Sequence, residues 1–369
     1  MLQKKLDAIY LKLLKAILWI YIILSVVIAG LNYGYASNAS PEVAGFINWI
    51  WLVYENWIKT IFILLGSFLT LKIIGSSKRK TMRKSNLTGF IIAALTVHVV
   101  TPLIVNNFDL YFYAMPLPWT TTPLQLLDNT SSLYLSTISS WGPNAILSDL
   151  IFFTCISLLV LVGTLLFGRR LQCSSICLFN GFAAEVFDPA FPLIGKRKKP
   201  KKTTLNLMKI LRWIFLAIAL LFVLYWTLHL LGVNVVPGIE VIARIESYKY
   251  LASELLLMMF FWIAFIGRGY CYYCPLGTIL SLLGRIAGQK ITTDNTKCVQ
   301  CGKCDDVCPM SIDIKTKAVN GVAVQDIRCV GCGHCVDECP TKNLGYSTKF
   351  TETISKYTRK KIIEKQNPN

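Results

Sequence analysis

Eight cysteines near the C-terminus fall into two runs of one pattern. Cys298, Cys301, Cys304 and Cys308 are followed by Pro309; Cys329, Cys332, Cys335 and Cys339 are followed by Pro340. Each run reads C-x-x-C-x-x-C-x-x-x-C-P, and 20 residues separate them. Such a pair of runs is a ligand set for two cubane [4Fe-4S] clusters. Three sulfurs at short steps wrap one cluster, and the fourth, turned away before proline, reaches the other. The pattern assigns Cys298, Cys301, Cys304 and Cys339 to one cluster. It assigns Cys329, Cys332, Cys335 and Cys308 to the second. Structural zinc is the competing reading. Zinc sites use paired C-x-x-C knuckles with a longer gap and four ligands in all, whereas here a third cysteine at the same step and a Cys-Pro are repeated as a unit.

Four further cysteines form two pairs. Arg170-Leu-Gln-Cys173-Ser-Ser-Ile-Cys177 follows one apolar stretch, and Arg268-Gly-Tyr-Cys271-Tyr-Tyr-Cys274-Pro275-Leu-Gly277 follows another. Both stretches end in an Arg-x-x-Cys step, a weak internal repeat that sets the two pairs at one depth. Three readings stand side by side: a third iron–sulfur cluster held by Cys173, Cys177, Cys271 and Cys274, two redox dithiols, or packing. Arg170 and Arg268 favour thiolates in the first two, by opposite charge. The thirteenth cysteine, Cys155, lies inside an apolar stretch and reads as a small apolar side chain.

The elements that carry these cysteines are apolar. The chain of 369 residues is 54% hydrophobic, with a mean hydropathy of +0.52. Its apolar residues come in runs of about 17–25, the length of a membrane-crossing helix. Six are expected, near 16–36, 57–75, 87–105, 146–167, 210–232 and 251–267. No small-residue cleavage site follows the first, which reads as an anchor. Segment 46–54 is too short to span and is expected along the outer interface. The domain expectation is a helical bundle over 1–277, a connector helix over 278–289, a ferredoxin domain over 290–347 and a basic tail over 348–369. The fold class is thus an α-helical membrane protein with a small α+β two-cluster ferredoxin domain.

The net charge is +18, and its placement excludes nucleic acid as the natural partner. Lys4, Lys5, Lys12 and Lys15 precede the first span. Lys78, Arg79, Lys80, Arg83 and Lys84 follow the second. Arg169, Arg170 and the run Lys196-Arg197-Lys198-Lys199-Pro200-Lys201-Lys202 follow the fourth. Stretches 32–56 and 106–149 hold no Lys or Arg. This alternation puts both termini and the ferredoxin segment on the cytoplasmic side of the inner membrane, with the basic ends against anionic lipid.

Together these features resemble the NapH/NosR/CcoG-type membrane polyferredoxins over about residues 87–345. The likeness rests on the spans, the two cysteine pairs with flanking arginine and the two C-terminal runs. The family usually shows Cys-x-x-x-Cys-Pro at both pairs. Here Leu178 replaces the proline after the first pair, and the second pair has only two residues between its cysteines. The expectation is a chain without the flavin domain of the NosR branch or the extra β-domain of the CcoG branch, closest to NapH. The resemblance implies electron passage between the quinone pool and redox partner proteins on the cytoplasmic side, with further partners on the outer side.

A quinone needs a pocket with a few polar groups, and ionisable residues inside spans are functional candidates. Asp149, His229 and Glu254 are expected near the outer ends of their spans, at one depth, where they would handle quinol protons. A haem held by His98 and His229 is disfavoured, because the two differ in depth by roughly 12 Å at 1.5 Å per residue. The aromatic outer loop 106–145 reads as a membrane belt or as a docking face for an outer subunit. No acid–base or nucleophile constellation for turning over an organic substrate is visible. Two other function classes remain: a copper-ion reductase that uses the membrane-edge cysteines, and a non-catalytic redox sensor or anchor. Replacing Cys301 by Ser should remove about four irons per chain and loosen residues 290–347, since metal binding is folding energy. An unchanged iron content would refute the cluster assignment.

Overall fold

The computed structural model describes residues 2–75, 80–196 and 200–366. Of the basic residues used for orientation, Lys78, Arg79, Arg197, Lys198 and Lys199 lie outside them, as do the side chains of Lys4 and Lys5. Among the described residues five helices are long and apolar enough to cross a membrane: Leu6–Tyr35, Pro41–Ile74, Thr81–Val105, Asn144–Phe167 and Lys202–Leu230. Each begins before its apolar run, because backbone hydrogen bonding continues through polar residues at the ends. Their ends carry the usual stop signals. Gly75 (φ 72°) and Gly168 (φ 71°) close the second and fourth helices, and Asn106 (φ 55°) closes the third. Such positive φ values are reached cheaply by Gly and Asn.

Two expectations change. Segment 46–54 is not a separate interfacial piece, because it lies within the continuous helical run Pro41–Ile74. No proline follows Pro41 in that run to break it. The sixth expected span, 251–267, is the end of a helical run that starts at Ile239 and stops at Ala264. Lys249 and Glu254 interrupt its apolar character, and it is not among the five.

Wide π-type turns recur where a side chain must be re-aimed. They span Tyr54–Ile58, Thr96–Val100, Gln172–Ile176 and Tyr250–Leu256. The turn at Thr96–Val100 precedes Pro102, which has no N–H to offer the regular ladder. Between the fourth and fifth long helices, residues 171–193 fold back into the bundle. Phe182, Ala183, Val186 and Phe187 there are buried, and Thr70 Oγ1 donates to the Val186 carbonyl.

Helix Pro275–Ile286 replaces the expected connector and starts three residues earlier, with Pro275 in its first turn and Cys274 as its N-cap. Beyond it, strand Lys290–Thr292 pairs antiparallel with Gly345–Ser347, Ile291 opposite Tyr346. Short helices Lys303–Asp306 and His334–Glu338 each follow a glycine at φ 76°, Gly302 and Gly333. The two halves of this unit therefore turn alike between their second and third cysteines. The expected basic tail is helical over Lys349–Gln366.

Thr81–Leu95 packs against loop 171–177 through Gly89, whose added Cβ would lie 2.7 Å from the Ser175 carbonyl oxygen. Gly89→Ala should therefore cost roughly 1–3 kcal/mol by overpacking, read as a lower thermal midpoint in detergent. An unchanged midpoint would contradict the close approach.

Candidate functional site

The eight C-terminal cysteines gather at two small cavities. Cys298, Cys301, Cys304 and Cys339 line one; Cys308, Cys329, Cys332 and Cys335 line the other. In each, three sulfurs come from one run and one from the other. All thirteen cysteines are free. No three sulfurs among the described residues lie within 4.8 Å of one another. A tetrahedral zinc site with sulfurs about 2.3 Å from the ion would bring them to about 3.8 Å. Four thiols around an apolar cavity at wider spacing fit a cubane. The two cavities differ in access: Cys301 is exposed, whereas Cys332 and Cys335 are buried.

The inner run is buried because it docks onto the helical bundle. Ser174 Oγ donates to the Val330 carbonyl (2.9 Å), Asn86 Nδ2 to that of Cys332 (2.9 Å) and Gln289 Nε2 to that of Cys329 (3.1 Å). The Asp337 carboxylate accepts the backbone N–H groups of Met82 (3.1 Å) and Arg83 (2.9 Å). It thus caps the start of helix Thr81–Leu95 from the ferredoxin unit, where the helix dipole favours an anion. Lys80 pairs with Glu338 at 2.7 Å. The ferredoxin unit therefore sits at the basic ends of the helices.

Cys173, Cys177, Cys271 and Cys274 also meet. Cys274 has Cys173, Cys271 and Cys177 as electrostatic neighbours, and Cys177 has Cys173 and Cys271. Arg169 Nε donates to Cys173 Sγ (3.1 Å), Asn180 Nδ2 to Cys271 Sγ (3.2 Å) and Gly277 N to Cys274 Sγ (3.3 Å). Cys177 accepts backbone N–H groups of Gly181 and Phe179. The arginine that touches a sulfur at the first pair is therefore Arg169. Arg170 instead reaches Asn86 Oδ1 (3.3 Å) and stacks on Tyr346.

A buried charged chain joins this group to the inner ferredoxin run. Arg268 donates to the Cys173 carbonyl (2.9 Å) and to the Glu185 carboxylate. The other Glu185 oxygen lies 3.0 Å from His334 Nε2, and His334 sits between Cys332 and Cys335. Burial by itself would raise the Glu185 carboxyl. The charges of His334 and Arg268 outweigh it and hold the group at about 2. Glu185, His334 and Asn180 were not singled out from the sequence. The one signal for Glu185 was a lone carboxylate in the apolar stretch Phe182-Ala-Ala-Glu185-Val-Phe187.

The expected trio Asp149, His229 and Glu254 is not brought together. Asp149 accepts from Asn107 (2.7 Å), and His229 faces Asp128 (3.1 Å). Glu254 lines a separate cavity of about 1260 Å³, together with His98, Lys59, Glu55 and Lys249. Lys59 pairs with Glu55 (2.7 Å) and Lys249 with Glu254 (2.8 Å). His98 is 1% exposed, and neither ring nitrogen has a hydrogen-bond partner. Ile176, Leu178 and Phe179, from the loop that bears Cys173 and Cys177, form another wall. Loop 106–145 turns over this cavity, and several of its aromatics point into it. Tyr113 and Met115 are buried, Tyr111 accepts from Trp51 (2.5 Å), and Trp119 donates to Tyr270 (3.0 Å).

Residues 290–357 match the 4Fe-4S dicluster domain family. The C-terminal part of the chain is therefore a two-cluster ferredoxin domain. An uncharacterized protein of Methanocaldococcus jannaschii is 25% identical over 189 residues, covering 51% of this chain and 70% of the relative. No solved structure matches. Replacing Glu185 by Ala leaves Arg268 buried without its carboxylate and should cost about 3–5 kcal/mol. Denaturant unfolding followed by the visible iron–sulfur absorbance would report it; a wild-type midpoint would show that the pair contributes nothing.

Proposed function

We propose that the chain is a membrane-bound iron–sulfur relay, moving electrons between a membrane quinone and a soluble redox protein. The observation that carries this reading is the order of the sites. The large cavity shares a wall with the loop of Cys173 and Cys177. That loop meets the inner ferredoxin run through Ser174 and Val330, and the outer run is open to solvent at Cys301. Cubane clusters, when bound, supply one-electron redox chemistry. The eight ferredoxin thiolates hold them, Cys298, Cys301, Cys304 and Cys339 around one and Cys308, Cys329, Cys332 and Cys335 around the other.

The cavity supplies what a quinone requires: apolar walls, aromatic rings and a few ionisable groups. Oxidation of a quinol releases two electrons and two protons, and reduction of a quinone takes up the same. His98, with both ring nitrogens unpartnered, is the group placed to exchange one proton with the bound ring. The Glu254 carboxylate, paired with Lys249, is the second. The buried ion pairs argue for function at this place, since charge inside apolar helices is costly.

The basic helix ends beside the ferredoxin domain support the cytoplasmic side of the inner membrane for that domain. The soluble partner then docks on the face around Cys301. The test uses dithionite-reduced protein in lipid nanodiscs, mixed under anaerobic conditions with a short-chain naphthoquinone. Reoxidation of the iron–sulfur absorbance is expected in the wild type. It should slow by about 10- to 100-fold in His98→Leu with iron content unchanged. Equal rates in the two proteins would remove His98 from the reading, and no reoxidation of wild type would remove the quinone.

A further inference from the structure

The three readings of Cys173, Cys177, Cys271 and Cys274 make different demands on their surroundings. A dithiol that exchanges with a partner needs a freely reachable sulfur, and here Cys173 and Cys271 are buried and Cys177 and Cys274 half-buried. Packed apolar thiols need no donors, yet each of the four sulfurs receives an N–H group. Donors aimed at every sulfur are the surroundings of thiolates that carry charge.

The decisive observation is the charge around them. Arg169 and Arg212 are 1% and 3% exposed. Among the described residues neither forms an ion pair with a carboxylate. Arg212 donates to the carbonyls of Tyr272 (2.9 Å) and Ile327 (3.1 Å), and Arg169 to Cys173 Sγ and to carbonyls. The foremost electrostatic partners of Arg169 are Cys173 and Cys271, followed by Cys274. Arg268 already has Glu185. Asp326 is the foremost negative neighbour of Arg212 but is itself paired with Arg328 (2.8 Å). Neutral thiols or disulfides at this place therefore leave Arg169 without an anion and Arg212 with a shared one, an arrangement that cores avoid. The helix Pro275–Ile286 adds to the same field, with Cys274 at its positive end.

We infer that Cys173, Cys177, Cys271 and Cys274 hold a third [4Fe-4S] cluster at the membrane edge. An oxidised cubane with four thiolates carries roughly two net negative charges, which match Arg169 and Arg212. A zinc ion with four thiolates would match them in charge but would draw the sulfurs to about 3.8 Å, closer than any three of them lie. The Leu178 and Cys-x-x-Cys departures from the usual pair motif are tolerated because the backbone of Phe179–Gly181, with the Asn180 side chain, supplies the donors. This site is the middle station of the relay proposed above and rests on that reading only for its role.

The test measures iron, acid-labile sulfide and zinc on anaerobically purified full-length protein, with spin quantification of the dithionite-reduced state. It compares wild type with the Cys173→Ser/Cys271→Ser double variant. About twelve irons in wild type, falling to about eight in the variant, is the expected result. About eight in both, with or without one zinc, overturns the third cluster and leaves the two-cluster domain standing. Fewer than eight in wild type overturns both. If the variant does not fold, the wild-type iron count and the number of reduced spins decide alone: three paramagnets support the site and two overturn it.

Discussion

Buried positive charge where the helical bundle meets the ferredoxin domain is the constraint on which the rest of this structure depends. Arg169, Arg212 and Arg268 lie inside the protein, where an uncompensated guanidinium is strongly destabilising. Each is turned toward sulfur, carbonyl oxygen or the Glu185 carboxylate. These contacts hold loop 171–177, segment 268–277 and the inner ferredoxin run in one frame. Arg268 spans the first two, and Arg169 and Arg212 both reach the Ile327 carbonyl, just before Cys329. The ferredoxin domain is thus built into the bundle rather than tethered to it.

The same frame sets the order of the cysteine sites. The inner run is buried against the bundle by Ser174, Asn86 and Gln289, and the outer run is left facing solvent. Asp337 makes the join specific: one carboxylate of the ferredoxin domain caps a helix of the bundle. A cap of this kind fixes orientation as well as stability, because the two N–H groups it accepts point along one axis.

On the other side of loop 171–177 the bundle opens into the large cavity. Wide turns at Tyr54–Ile58, Thr96–Val100 and Tyr250–Leu256 bring Glu55, His98 and Glu254 to its surface. A regular helix would spread these side chains by the 3.6-residue period; a π-turn re-aims one without breaking the helix. Loop 106–145 closes over them, anchored where Glu246 accepts from Thr121 and Trp226.

How much of this was legible in the sequence follows from the range of each interaction. Cysteine spacing is local, and a Cys-Pro step states which sulfur turns away, so the two ferredoxin runs were readable, whereas the pairs 173/177 and 271/274, far apart in the chain and joined only by a weak repeat, left three readings open. Apolar run length is also local and foretold most of the long helices. It missed that 46–54 belongs to one continuous helix, and that 251–267 ends a longer helical run whose apolar character is broken by Glu254 within it and Lys249 just before it. The grouping of Asp149, His229 and Glu254 failed because depth along a span says nothing about which face of which helix meets which. Tertiary structure alone decided that Asp149 faces Asn107 and His229 faces Asp128, while Glu254 shares a cavity with His98. It alone placed Glu185 between Arg268 and His334, partners 83 and 149 residues away. Charge compensation in a dry interior acts through space, and no local pattern in the chain encodes it.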